Sequence, residues 1–326
     1  MIYDRYYYST LSPKDKKIYR QIYRGIQNFE THIKLPKPTV SLQKLVQYID
    51  FDNPLIFYVD FSNLEFVDNV ISDTLILTYF YSRQDAKKIN DKIQSVLKKM
   101  SSRIQGRTDY EKEKSIHDLL IENVIYDTSA AGNIKKYYPR SNSILGVLFY
   151  KTAVCEGIAK VTKILLNSVD IKCIVVDGFS SKNNEGHAWN IVKVNGDAYH
   201  LDVTWDTNIS FENDTRYDYF NLTDKQIKTD HIFNTVYPVC SSVNENYFYK
   251  NGLIVKEFGD IQKLFTVKMI QKKRTVTFKF AGKNTSEFKK AVDKSMDLIK
   301  ASVKPGKTVK ITYSLNDTQQ ICTIAF

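Results

Sequence analysis

The sequence predicts an α+β protein with three parts. A mostly helical N-terminal region (1–105) packs on a central unit (106–240), and a small α+β unit (241–326) follows. Three observations carry this reading. Long segments before residue 170 repeat apolar residues every three or four positions, the mark of one buried helix face. Two β-rich segments flank Asn195-Gly196, a hairpin signal. After Cys240, short helical and strand patterns alternate. The central unit is expected to pack a cysteine-bearing helix on an antiparallel sheet.

Each element follows from local pattern. Ser12-Pro13-Lys14-Asp15 is a helix start: capping hydroxyl, proline at the first helical position, acid in the first turn. Ile18, Ile22, Ile26, Phe29 and Ile33 then extend one apolar face until Pro36 and Pro38. Ser41 opens a short helix with Leu42, Leu45, Val46 and Ile49 inward. Residues 55–60 and 74–82, rich in β-branched and aromatic side chains, read as strands. Residues 86–105 and 110–124 read as helices, and 127–143 as a polar loop. In the last unit, 247–255 reads as a hairpin about Asn251-Gly252. Then come helix 260–271, strand 275–281, helix 286–301 and strands 308–315 and 318–326, the last two joined tightly at Asn316-Asp317.

Composition narrows the function. Hydrophobic residues at 43% and charged residues at 25% suit a packed core and exclude general disorder. Four cysteines without a CxxC pair cannot build a disulfide scaffold, and five scattered histidines lack zinc-site spacing. No acidic run resembles a calcium loop, so no metal or cofactor is expected. Asp4 and Arg5 interrupt the first residues, and no apolar run is long enough for a signal segment or a membrane span. The chain is therefore expected to be soluble: cytoplasmic as it stands, or at the cell surface if a signal was removed. The net charge of +11 comes from dispersed lysines such as Lys87, Lys135, Lys228 and Lys290. Dispersion argues for a solvated surface rather than a nucleic-acid face, while an anionic cell envelope remains a compatible partner.

The chemistry concentrates within about fifty residues. Ala153-Val154-Cys155-Glu156-Gly157 runs into a helix through Ile158, Val161, Ile164 and Leu165. A thiol at that start meets the positive end of the helix dipole, which favours the thiolate nucleophile. The unpaired N–H groups there can hold a developing oxyanion. Gly186-His187-Ala188-Trp189-Asn190 enters a strand, and Tyr199 to Asp206 follows the Asn195-Gly196 turn. With a two-residue turn, Val194 faces Asp197, Trp189 faces Asp202, and His187 faces Thr204. His187 and Asp202 then lie diagonally on one face, about 7–8 Å apart in backbone. Val192, Val194, Tyr199, Leu201 and Val203 form the opposite, apolar face. Cys155 as nucleophile, His187 as base and Asp202 as orienter is the logic of acyl transfer through a thioester.

The motifs Cys155-Glu156-Gly157-Ile158-Ala159, His187-Ala188-Trp189-Asn190 and Asp202-Val203-Thr204-Trp205-Asp206 resemble the transglutaminase-like superfamily in its bacterial form. The resemblance is strong over about 110–210, and the last 85 residues carry no nameable motif. It implies a papain-like α+β core and a Cys155–His187–Asp202 triad acting on a protein or peptide amide. Ile158 departs from the family's usual aromatic residue, a packing difference. The superfamily includes cross-linkers, deamidases, peptidases and members without the triad. The reading is therefore a thiol acyltransferase, with a cysteine protease or deamidase, or a non-catalytic binding module, as alternatives. Trp189 is a candidate wall of the substrate groove, with plain packing as the competing reading. An Asn or Tyr within 137–142 is a candidate oxyanion donor. His200 is read as a hydrogen-bonded sheet histidine, His117 and His32 as surface, and Cys173, Cys240 and Cys322 as structural. Trp205 and Asp206 are read as holding the strand end.

Overall fold

Ser12 begins the first long helix as expected, its hydroxyl accepting the Asp15 N–H at 3.1 Å. The computed structural model describes residues 5–131, 138–208, 215–233, 235, 237–271, 273–282, 285–302 and 309–326. Helices α1 (Tyr6–Thr10), α2 (Pro13–Gln27) and α3 (Leu42–Asp52) pack with strands β1 (His32–Pro36), β2 (Glu65–Asp68) and β3 (Ser72–Ile76). The strands form an antiparallel sheet in the order β1-β3-β2. The N-terminal region is thus itself mixed α and β, a correction to the mostly helical expectation.

The error lies in period. Helix α2 stops at Gln27 because Phe29 takes a left-handed conformation, φ 59°, and the Glu30 N–H turns back to Gly25 O at 2.9 Å. Ile33 and Leu35 then alternate inward along β1 and face the same core as Ile22 and Ile26. Residues 55–60 form no ladder beyond a single bridge, Val59 to Tyr79. Their buried side chains Phe57 and Val59 instead pack into two different cores.

Helix α4 (Arg83–Ser101) contributes Ala86, Ile93 and Leu97 to the core of the central unit. The expected boundary near 105 therefore cuts through one hydrophobic core. That core also holds α5 (Asp109–Asn123) and α7 (Cys155–Ser168), with β4 (Ile125–Tyr126), α6 (Thr128–Ala131) and β5 (Thr152–Ala153) between them. The main sheet runs β8 (Asp197–Leu201), β7 (Gly186–Val194), β6 (Cys173–Ser180), β9 (His231–Ile232). All its neighbours are antiparallel. Val192, Val194, Tyr199, Leu201 and Val203 join Val161, Ile164 and Leu165 of α7 in one core, as the alternation required.

Two lysines of α7 are buried. Lys160, 3% exposed, holds Asp50 of α3 at 2.7 Å and Glu156 at 2.6 Å. Lys163 donates to Phe51 O at 2.9 Å. These contacts clamp the N-terminal region onto the cysteine helix.

Past α8 (Val203–Asn208) and α9 (Asp224–Ile227), the C-terminal unit forms a sheet β10 (Ile254–Val255), β11 (Thr275–Phe280), β13 (Ile321–Ala325), β12 (Thr312–Asn316). Helices α11 (Phe258–Ile270) and α12 (Thr285–Ala301) pack against it. The expected hairpin at Asn251-Gly252 is replaced. Asn246 caps a short helix α10 (Tyr247–Lys250), Gly252 leaves it at φ 65°, and β10 joins β11 in parallel. The final hairpin pairs Asn316 with Ile321, so residues 317–320 form its loop and not Asn316-Asp317. Among the described residues no helix is long and apolar enough to cross a membrane.

The Lys160 clamp yields a prediction. Lys160→Ala leaves Asp50 buried and unpaired and should lower unfolding free energy by about 3–5 kcal/mol in urea titration. Adding Asp50→Ala should recover part of the loss; a single-mutant cost under about 1 kcal/mol would contradict the clamp.

Candidate active site

Cys155 is the first residue of α7, behind an extended Val154 that offers no side-chain cap. The first-turn N–H groups of a helix have no partners within it. The approach to the helix is held by Val154 N–H to Ser141 O, 3.0 Å, and by β5 pairing in parallel with β4. Gly157 is needed because a Cβ there would lie 2.8 Å from Ser143 O and 2.9 Å from Ser141 O. The glycine of the cysteine motif is thus a packing requirement, and it seats segment 141–143 against the first turn.

The hairpin has the expected register. Asn195 and Gly196 both have positive φ, 50° and 95°, and Val194 pairs with Asp197 through to Asn190 with Leu201. The ladder stops there. The expected pairs Trp189–Asp202 and His187–Thr204 do not form, because Asp202 starts helix α8 and its Oδ1 accepts the Trp205 N–H at 3.1 Å. Its Oδ2 meets His187 Nε2 at 2.7 Å. That leaves Nδ1 on the other edge of the ring, and Cys155, which lines the same cavity, helps to raise the imidazole's proton affinity. The structure therefore brings Cys155, His187 and Asp202 together. Cys155 alone among the four cysteines is partly exposed; Cys173, Cys240 and Cys322 are buried.

The electrostatics match the geometry. Burial disfavours a charged His187, but the Asp202 carboxylate outweighs it, and Cys155 adds to the effect. The imidazole is pushed up to about 10. Burial alone would raise Asp202, yet His187 and His231 hold it well below the usual carboxylate range.

Trp189 does not wall a groove: it is 1% exposed and lines neither cavity beside His187. Its ring stacks behind His187, centroids 5.8 Å apart, and its indole N–H donates to His200 Nδ1 at 3.0 Å. Because indole only donates, His200 carries its proton on Nε2, which meets Asp224 at 2.8 Å. His200 is thus the sheet histidine expected. His200, Asp224 and Cys240 have ligand atoms within 4.8 Å of one another, as do His187, Asp202 and His231. In the first group the nitrogen facing the carboxylate bears the tautomer's proton. In the second, both nitrogens facing the ionised Asp202 must donate to it. Neither donor set suits a metal ion.

Two histidines escaped the sequence reading. His117, expected at the surface, is fully buried and meets Asp206 Oδ2 at 3.0 Å. Its only signal is Glu113 one turn earlier, a second buried polar group on that helix. His231 meets the same Asp202 Oδ2 at 3.0 Å, and its two-residue strand leaves no periodic signal. Asp206 also accepts the Tyr219 N–H at 3.0 Å, so it secures the chain after the strand end. Glu156 pairs with Lys160.

Two cavities meet at His187. One, about 850 Å³, is lined by Cys155, Asn142, Tyr138 and the N-terminal residues Lys44, Tyr48 and Phe61. The other, about 610 Å³, lies between Lys182, Glu185 and Trp205 and the C-terminal unit's Asn316 and Asp317. A larger cavity of about 1080 Å³, near Tyr23 and Tyr58, brings no histidine, cysteine or acid together. Asn142 is 3% exposed, and its buried Oδ1 has no hydrogen-bond partner among the described residues. Tyr137, the other end of the candidate oxyanion segment, lies outside the described residues.

Residues 98–203 match the model of the transglutaminase-like superfamily. Cys155, His187 and Asp202 all lie inside that match. Among solved structures, one of a TGase is 15% identical with TM-score 0.32, covering 57% of this chain and 54% of its own. A candidate cysteine protease from Cytophaga hutchinsonii is 16% identical with TM-score 0.28, covering 44% of this chain and 61% of its own. A candidate protease from Parabacteroides distasonis is 11% identical with TM-score 0.26, covering 43% and 35%. The chain thus spans less than two thirds of each. No curated protein matches the sequence.

The His187–Asp202 pair predicts a pH dependence. Because the folded state raises His187 from 6.5 to about 10, its contribution to stability is full below about pH 6.5 and fades as pH rises towards 10. Urea midpoints at pH 6.5 and 9.5 should differ in wild type and differ less in Asp202→Asn. Equal slopes in the two proteins would contradict the pairing.

Proposed function

We propose that this protein is a thiol acyl-transfer enzyme acting on protein or peptide amides. One observation carries the reading: a histidine oriented by a buried carboxylate faces a half-exposed cysteine at a helix start, inside a groove. With its proton held by His187, Cys155 Sγ attacks the amide carbonyl carbon. The oxyanion gathers against the Cys155 N–H, and the side-chain amide of Asn142, which lines the same cavity, is our candidate second donor. The C–N bond then breaks, His187 protonates the departing nitrogen, and a Cys155 thioester remains. An amine or water, deprotonated by His187, resolves it and restores the thiol. Asp202 keeps the imidazole oriented throughout and stabilises its charge.

The groove suits a chain-like substrate. It is open on both sides of His187, with aromatic side chains on the N-terminal side and Lys182, Glu185 and Asp317 on the other. The positive charge of +11 is compatible with work near an anionic envelope. Whether an amine or water resolves the thioester separates cross-linking from deamidation and proteolysis, and all three use the same residues.

The test compares wild type with Cys155→Ala on a glutamine peptide, with and without a labelled amine. Cys155-dependent amine incorporation identifies a transglutaminase, ammonia release alone a deamidase, and backbone cleavage a protease. Equal behaviour of the two proteins in all three assays would sink the enzyme reading in favour of a binding module.

Asn142 adds a second expectation. Asn142→Ala should slow acylation about 100-fold, as loss of one oxyanion donor does, yet leave alkylation of Cys155 by iodoacetamide unchanged. Alkylation forms no oxyanion, so a parallel loss of both rates would count against this role.

A further inference from the structure

Asp202 is shared. Its Oδ2 meets His187 Nε2 at 2.7 Å and His231 Nε2 at 3.0 Å, while Oδ1 accepts the Trp205 N–H. Since Asp202 is held ionised, both histidine nitrogens donate to it. His231 is 1% exposed, and its ring lies between Trp205 (centroids 4.2 Å) and Trp189 (4.9 Å). Its Nδ1 meets Asp230 Oδ1 at 2.7 Å.

Asp230 is fully buried, and its Oδ2 accepts from the Tyr219 hydroxyl at 2.8 Å and from Gln319 Nε2 at 3.2 Å. Gln319 belongs to the β12–β13 loop of the C-terminal unit. Asn316, at the end of β12, donates to the Tyr219 hydroxyl at 3.3 Å. A continuous buried line therefore runs Gln319, Asp230, His231, Asp202, His187.

We propose that His231 is a positioning residue for the Cys155–His187 pair, holding Asp202 through a line anchored in the C-terminal unit at Gln319. This rests on the acyl-transfer reading above. By donating to the oxygen that orients His187, His231 fixes the carboxylate and takes up part of its negative charge. His187 thus keeps its orientation without the full pull of an unshared carboxylate. The C-terminal unit becomes part of the site by hydrogen bonding, besides lining its second cavity.

The groups facing His231 are Asp202, His187 and His200 from the hairpin, Asp230 and Tyr219 beside it, and Lys182 over Trp205. Lys279 acts on Asp230 from β11. Among the described residues, only Asp202 and Asp230 are hydrogen-bonded to its ring nitrogens.

The experiment is the rate of Cys155 alkylation by iodoacetamide against pH, in the full chain. His231→Phe keeps an aromatic ring between the tryptophans and removes both ring nitrogens. His231→Gln keeps one donor. In His231→Phe the rate should fall about tenfold at neutral pH, as expected for one buried hydrogen bond lost. The alkaline limb should move upward, because Asp202 then acts on His187 alone. His231→Gln should restore most of both.

In wild type, the Nε2 proton resonances of His187 and His231 should both move when Cys155 is alkylated. That measurement stands even where the Phe variant does not fold. A merely structural role would lower the rate with the pH profile unmoved, and that result overturns the proposal. So does a His231 resonance indifferent to alkylation. If wild-type Cys155 reacts no faster than a free thiol, the acyl-transfer reading falls and takes this proposal with it. A reactive Cys155 with a profile insensitive to His231→Phe removes the present proposal alone.

Discussion

The contact on which the rest depends is the 2.7 Å bond between His187 and a carboxylate with no exposed surface. A buried carboxylate is costly unless both of its oxygens find donors. Asp202 meets that condition with two imidazoles on Oδ2 and one backbone N–H on Oδ1. To deliver those donors the fold must place a hairpin turn in one register, start a helix at the strand end and bring β9 beside β6. Shifting the turn by one residue would reverse every side chain of β8, put Asp202 among the apolar contacts of α7 and expose Leu201. The register is therefore held from both sides, by the apolar core on one face and by the polar network on the other.

The N- and C-terminal units act as walls whose attachment is also electrostatic. Lys160 fastens α3 to the cysteine helix, and the C-terminal sheet is fastened by Arg216 to Ser314 and by Asn316 to Asp218. Both walls end at His187, one with aromatic side chains and the other with the polar run Asn316, Asp317 and Thr318. Burying a lysine with two acids gives directional attachment that an apolar contact would not, at the risk of a large penalty if one partner is lost.

Much of this was legible in the residues because several levels agree. The cysteine at a helix start, the Asn195-Gly196 register and the apolar set facing α7 all follow from period and turn chemistry. What was not legible depends on tertiary partners. Ile33 fits a helical interval and lies on a strand, since a left-handed Phe29 intervenes. The partners of Lys160 and Lys163, Asp50 and Phe51 O, lie far away in the chain and leave no local pattern. Trp189 looks like a groove wall and turns out to back the histidine, because its indole needs His200. His231 stands in a segment too short for any pattern, and only the folded sheet brings it to Asp202.

The central claim is that Cys155 is a nucleophile made reactive by His187. Its most direct test is the mapping of sub-stoichiometric iodoacetamide among the four cysteines at pH 6 by peptide mass spectrometry. An ordinary thiol, with pKa about 8.5, is almost wholly protonated there and reacts slowly. The account predicts that Cys155 carries nearly all the label and reacts far faster than glutathione. Labelling of Cys155 at or below the glutathione rate, or spread over the buried cysteines, would contradict it.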